Sequence, residues 1–248
     1  GILNEEDFQI VFSDTPGIIK PAYALQESMM NFVKTALEDA DVILYMVELG
    51  EKDLKDKNFF KQLQQTTTPV IILINKIDKG DQQQLEAAVQ HWKENFPKAE
   101  IYPISAIKKF GTTALLDRIK DILPESPPYF PKDSLTDKSE RFIVNETIRE
   151  KILLHFKKEI PYAVEVITES FKEEEKIIRI QATILVERDT QKGILIGHKG
   201  AALKRVGVEA RSDLEAFFDK KIFLELFVKV QKNWRADKKQ LRKFGYEG

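Results

Sequence analysis

Four prolines stand within the nine residues "LPESPPYFP", from Leu123 to Pro131. Each fixes its own φ, withholds a backbone N–H and biases the residue before it toward extended backbone. Neither a helix nor a central strand tolerates that density. The 248-residue chain is therefore read as two folding units, residues 1–122 and 139–248, joined by a proline-rich linker over 123–138. Each half is long enough to bury a core of its own.

Apolar residues make up 42% and charged residues 32%, as in soluble globular proteins. The longest apolar runs, "ADVILYMV" and "PVIILIN", fall far short of the ~20 residues that cross a bilayer. With no cysteine there is no disulfide framework and no thiolate metal site. That, and the lack of a signal-peptide pattern, favour a reducing cytoplasm. The net charge of −1 conceals an asymmetry. From Lys199 to Gly248 there are 13 Lys and Arg against 7 Asp and Glu, while residues 1–198 carry 26 against 33. A basic end suits a polyanion, although scattered lysines on a helical surface account for the charge alone equally well.

In the first half, "DFQIVFS", "DVILYMV", "VIILIN" and "EIYPI" read as buried strands, each followed by ten or more residues of helical pattern. This predicts an α/β unit, a mostly parallel sheet flanked by helices. Past the prolines the pattern changes. "ERFIVNETIREKILLHF" has helix-spaced apolar residues with Ser139 as its N-cap, and "YAVEVITESF" and "KIIRIQATILVER" alternate as strands around the acidic turn Lys172–Lys176. Then come "KGILIGHKGAALKR", the helix "AALKRVGVEARSDLEAFF", the strand "KIFLELFVKV" and a short basic tail. The second half reads α-β-β-α-α-β, an α+β unit.

Three phrases in the first half each fall where a strand ends, the place where open α/β sheets collect ligands. In "DTPG", Asp14–Gly17, the aspartate can hold Mg²⁺ through a water, and Gly17 lets a backbone N–H approach a γ-phosphate. In "NKID", the Asp78 carboxylate can accept from the N1–H and exocyclic amine of guanine, a donor pair that adenine lacks. The Lys76 stem can lie along the purine face, and the Asn75 amide can tie neighbouring loops to the base. In "ISA", Ile104–Ala106, the Ala106 N–H can reach guanine O6. Taken singly, "DTPG" can be a plain turn, "NKID" a polar helix cap, and "ISA" carries no meaning alone. Their order along successive strand ends is what resembles a translation-factor-type GTPase domain with a Ras-like sheet.

Such domains carry G-x-x-x-x-G-K-[ST] upstream of the Asp-x-x-Gly phrase. Thirteen residues precede Asp14 here, and none of them forms that pattern. The chain opens on Gly1 rather than methionine, so a further amino-terminal segment is expected. The chain as it stands is expected to bind GTP weakly and to be inactive as a hydrolase, because that loop cradles the phosphates and positions the metal. "KGILIGHKG" is no substitute: with Gly193 as first glycine, His198 replaces the second, and Gly200 replaces the metal-binding hydroxyl.

Gly197–His198–Lys199–Gly200 instead resembles the Gly-x-x-Gly of a KH module, a loop that in such modules clamps about four nucleotides of single-stranded RNA. Helix N-terminal N–H groups and Lys199 suit phosphates. Ile194 and Ile196 are candidates to floor a base-accepting groove, with core packing the expected role of at least one. Lys204, Arg205 and Arg211 are candidate phosphate contacts, and a solvated helix face explains them nearly as well. His198 reads as a turn residue.

With "LTDKSERFIVNETIREKIL", "LVERDTQKGILIGHKGAALKRVGVEAR" and "ELFVKV", the chain resembles the Era family of ribosome-associated GTPases over essentially its whole length. The resemblance implies a Ras-like GTPase unit followed by a type II KH domain, with GTP or GDP and Mg²⁺ as ligands. The single-stranded 3′ end of small-subunit ribosomal RNA and the small ribosomal subunit would be its partners, in maturation of that subunit. Asp14 would coordinate Mg²⁺ through water and Gly17 would sense the γ-phosphate, the two catalytic positions. Thr15 and Pro16 would complete that phrase, while Asn75, Lys76, Asp78, Ser105 and Ala106 would hold the base. Ile194, Ile196, Gly197, His198, Lys199, Gly200, Lys204 and Arg205 would meet RNA. GTP would govern how the two domains are placed. Ile18 stands where an amide would orient the attacking water, which predicts slow hydrolysis dependent on RNA or the ribosome. The segment from Ile18 to Glu27 is the natural switch. An RNA-binding adaptor with a nucleotide-incompetent first half is the alternative, and the intact "NKID" weighs against it. The complete Gly-x-x-Gly and single GTPase half disfavour tandem-GTPase relatives. The tail "KNWRADKKQLRKFGY" is of a kind that touches anionic membranes, which would add peripheral association at the inner membrane face to a cytoplasmic location.

Overall fold

The computed structural model describes residues 1–18, 21, 24–52 and 57–244, in two compact units that divide between Leu135 and Thr136. The first unit is built on three parallel strands, β3 (Ile43–Glu48), β4 (Val70–Asn75) and β5 (Glu100–Pro103), in the order β3-β4-β5. Ile71 to Ile74 of β4 are buried on both sides, which is why this strand is an unbroken apolar run rather than an alternating one. Ile72 and Ile74 pack with Val33 of α1 (Ala24–Asp39), Phe59 and Leu63 of α2 (Lys57–Gln65) and Trp92 of α3 (Gln82–Asn95). Ile71 and Leu73 point the other way, into a cluster with Leu115 and Ile119 of α4 (Thr112–Ile122). Helices thus cover both faces.

The strand expected over "DFQIVFS" is present but short, β2 (Gln9–Val11), and it does not join the parallel sheet. It pairs antiparallel with β1 (Ile2–Asn4), a strand that the sequence pattern did not announce. Ile10 drops into the cluster of Ile71 and Leu115, so the hairpin lies on that side of the sheet. Among the described residues, neither β2 nor β3 has a strand along its other edge.

Part of the proline-rich stretch is fastened to this hairpin. The Asn4 side-chain amide donates to the Ser134 carbonyl (2.7 Å), Gln9 exchanges hydrogen bonds with the Phe130 backbone, and the Ile2 N–H donates to Leu135 O (2.9 Å). The Lys132 ammonium donates to the carbonyls of Glu5, Glu6 and Phe8.

The second unit runs α5 (Glu140–His155), β6 (Glu165–Glu173), β7 (Ile177–Val186), α6 (Asp189–Ile196), α7 (Ala201–Phe218) and β8 (Lys221–Val230). β7 is central, antiparallel to β6 and parallel to β8. Its inward residues Ile178, Ile180, Ala182 and Ile184 meet Ile148 and Ile152 of α5, Leu195 of α6 and Val206, Ala210 and Leu214 of α7 in one core. The Ser139 hydroxyl accepts from the Phe142 N–H and caps α5. The basic tail supplies a buried Trp234 and α8 (Lys238–Lys243), which Asp237 caps. No helix among the described residues is long and apolar enough to cross a membrane.

Candidate nucleotide and nucleic-acid interface

Asn75 is the last residue of β4, opposite Glu48 at the end of β3. The chain leaves the strand through Lys76 in the left-handed region (φ 63°) and closes the short turn Ile77–Lys79. It then enters α3 through a capping box between Asp81 and Gln84. The Asn75 side-chain Oδ1 accepts from the N–H of Lys76 (2.8 Å) and of Ala106 (3.1 Å), so the side-chain amide binds the β4 end to the loop after β5. In this arrangement the Ala106 N–H, which the sequence offers to a base, already has a partner.

Ser105 is 1% exposed, and its hydroxyl donates to Asp78 Oδ1 at 2.5 Å. That hydrogen bond, above all, holds the Asp78 carboxyl below the usual carboxylate range; its own backbone N–H, Lys108 and Lys79 act in the same direction. The carboxylate is therefore anionic at neutral pH, the form that accepts two donors. Ser105 is in turn fixed by a paired backbone exchange with Phe110 (3.1 and 3.0 Å). The phrases "NKID" and "ISA", far apart in sequence, form one polar cluster.

Sequence reading missed Glu48. Its carboxylate pairs with the Lys76 ammonium at 2.6 Å, and this hydrogen bond is the main reason its carboxyl lies below the ordinary range. The partnership depends on the parallel register of β3 and β4, which no local pattern reveals.

Asp14, Thr15 and Gly17 follow β2 on exposed, irregular backbone, with Pro16 half-buried. Among the described residues, no hydrogen bond or ion pair joins Asp14 to the Asn75–Asp78 cluster. A Cβ on Gly17 would meet nothing within 4 Å, so its backbone is open to close approach. Among the described residues, no three His, Asp or Glu side chains gather as a metal cage; Asp14 is the one acidic side chain of its phrase. Ile18 packs toward the core of Val33 and Phe59. Of the segment expected to switch, residues 19, 20, 22 and 23 lie outside the described residues, and α1 begins at Ala24.

In the second unit, α6 stops at Gly197 (φ 70°), a tight turn covers His198–Gly200, and Gly200 (φ 79°) starts α7. A Cβ on Gly197 would stand 2.7 Å from the Ala202 Cβ, so both dihedral angle and space demand glycine there. Lys199 itself is left-handed (φ 49°). His198, Lys199, Lys204, Arg205 and Arg211 are exposed, and among the described residues none of them forms an ion pair. The two isoleucines divide. Ile196 is half-buried against the core, whereas Ile194 is 51% exposed beside the loop.

Residues 3–125 match the family described as the Elongation factor Tu GTP binding domain, and residues 159–235 match the KH domain. GTPase Era of Clostridium kluyveri is 41% identical over 251 residues, covering 99% of this chain and 85% of that protein. GTPase Era of Syntrophus aciditrophicus is 44% identical over 249 residues, covering 99% and 81%. Among solved structures, a variant of Aquifex aeolicus Era bound to GDP.AlF4⁻ superposes with a TM-score of 0.94 at 36% identity, covering all of this chain and 86% of that one. Era in complex with MgGDPNP and nucleotides 1506–1542 of 16S ribosomal RNA gives a TM-score of 0.93, also at 36% identity, covering 100% and 85%. With this identity along the whole chain, and the two units in this order, the chain belongs to the Era family of GTPases.

Proposed function

We propose that the chain reads guanine nucleotide with its first unit and holds the single-stranded 3′ end of small-subunit ribosomal RNA with its second, in assembly of the small ribosomal subunit. The observation that carries the nucleotide half is the Asn75–Asp78–Ser105–Ala106 cluster, a pre-ionised carboxylate fixed on two strand ends. The donor set fits guanine: Asp78 accepts from N1–H and the exocyclic amine, the Lys76 stem covers one face, and Ser105 and Ala106 close the edge. Asp14 would hold Mg²⁺ through a water, with Thr15 and Pro16 shaping the turn and the open backbone of Gly17 meeting the terminal phosphate. Bound GTP and Mg²⁺ would supply the scissile phosphate and its charge neutralisation.

Of the groups these residues offer a nucleotide, those for the base are the ones already fixed, Asp78 by the Ser105 hydroxyl and Asn75 by the Ala106 N–H. Ile18 has no amide with which to orient water, so hydrolysis is slow and depends on RNA or the ribosome. On the RNA side, Gly197 and Gly200 bring backbone N–H groups to a phosphate, Lys199, Lys204 and Arg205 add charge, and Ile194 offers an apolar rest for a base.

The adaptor reading makes a different forecast for base recognition, and ligand-observed NMR at millimolar nucleoside separates the two. Guanosine should bind in preference to adenosine. Asp78→Asn should reverse guanosine over xanthosine, because an amide offers a donor where the carboxylate accepted. Equal binding of all three nucleosides, unaffected by Asp78→Asn, would leave the first unit as a scaffold.

A further inference from the structure

The first unit holds a cavity at the end of its parallel sheet away from Asn75. Strands β4 and β5 start there, about 16 Å along β4 from Asn75, and α2 and α3 both stop there, at Gln65 and Asn95. Between the two helix-to-strand loops lies a hollow of about 360 Å³, inside the ~300–1,000 Å³ range of small-molecule sites. Buried Leu63 and Phe96, with half-buried Val70 and Ala99, give it apolar walls. The Gln64 side-chain amide donates to the Asn95 carbonyl (2.7 Å) and so spans the two loops. The groups proposed for guanine all stand at the opposite strand ends, so this cavity has no part in holding the base.

The polar edge decides what fits. The last carbonyls of a helix have no intrahelical donors and carry its negative end. Among the described residues, no N–H donates to the carbonyls of Leu63 or Gln64 in the last turn of α2. Past the end of α3, Pro97 has no N–H with which to close the Lys93 carbonyl four residues before it. Acceptors from two helix ends repel a carboxylate or a phosphate. Lys98 lines the same cavity, exposed and in no ion pair among the described residues, and it repels a cation. Apolar walls, free acceptors and a neighbouring ammonium are satisfied together by a neutral ring with a donor on its rim.

We infer that this cavity is a binding site for a neutral aromatic group bearing one hydroxyl or N–H, phenol-like or indole-like, with its ring against Leu63 and Phe96 and its donor on the α2 carbonyls. A free small molecule and a tyrosine of a partner protein share this chemistry.

The test follows ¹H–¹⁵N NMR spectra of the full chain during titration with p-cresol. The amides of Thr66, Thr67, Thr68, Lys98 and Ala99 should shift and approach saturation by about 10 mM. Toluene, which lacks only the hydroxyl, should bind at least about threefold more weakly, the worth of one net hydrogen bond, and 4-methylbenzoate more weakly than p-cresol as well. N-acetyltyrosinamide separates the two sources. Binding like that of p-cresol assigns the cavity to a partner's tyrosine, exclusion assigns it to a free phenol, and either supports the site. No saturable shift at these amides overturns the inference, and so does toluene or 4-methylbenzoate binding as tightly as p-cresol. Thr67→Trp, which fills the cavity from an exposed position, should abolish the p-cresol shifts and keep the thermal midpoint. Unchanged p-cresol shifts in a folded Thr67→Trp chain would put the ligand elsewhere and overturn it too.

Discussion

Asp78 and Ser105 are 27 positions apart, and each gives the other its character. The buried hydroxyl donates, so the carboxylate stays charged without a cationic partner in contact. Ser105→Ala should raise the Asp78 pKa toward the ordinary value near 3.9, measurable by ¹³C NMR titration of the carboxyl carbon. A carboxyl whose folded pKa is depressed adds stability that is complete above its unfolded value and is lost as pH falls through the folded one. The variant should therefore unfold with a shallower acid dependence below about pH 4, with little change at neutral pH. An unchanged Asp78 titration would mean that Lys108 and the backbone hold the charge instead. Phrases with a fixed internal spacing, such as Asn75–Lys76–x–Asp78 and Gly197–x–x–Gly200, are visible in the sequence because their chemistry is local. The Ser105–Asp78 and Glu48–Lys76 contacts are made by register between strands, so only folding brings them together.

Among the elements, α7 and β8 begin and end where the pattern put them, because amphipathic spacing over 18 and 10 residues overwhelms local ambiguity. The three-residue β1 gives no such signal; its existence rests on β2 and on the cluster into which Ile10 drops. The Ser139 cap of α5 could be read in advance because a hydroxyl at a helix start satisfies a backbone N–H that nothing else would. Ser139→Ala should cost about 1 kcal/mol and lower the midpoint of the KH unit in calorimetry, while Ser139→Asp should keep it. A midpoint unmoved by the alanine would mean that solvent already satisfies the Phe142 N–H.

At the scale of the whole molecule, each unit has a core of its own and a single buried tryptophan, Trp92 in the first and Trp234 in the second. Among the described residues neither indole N–H has a hydrogen-bond partner, so phenylalanine at either position orphans no polar group among them and leaves one fluorescent reporter. Proline density announced a break, but it could not say which side would own the residues around it. Residues 130–135 hold to the β1–β2 hairpin by backbone and side-chain hydrogen bonds, Lys132 among them. Protease susceptibility should follow that fastening rather than the prolines. Brief trypsin treatment should spare the bond after Lys132, whose flanking backbone is tied down, and cut first after exposed Lys138. The early fragment would begin at Ser139, as amino-terminal sequencing or intact mass would reveal. The peptide that looks most like a tether would then leave with the first unit, still attached to its hairpin.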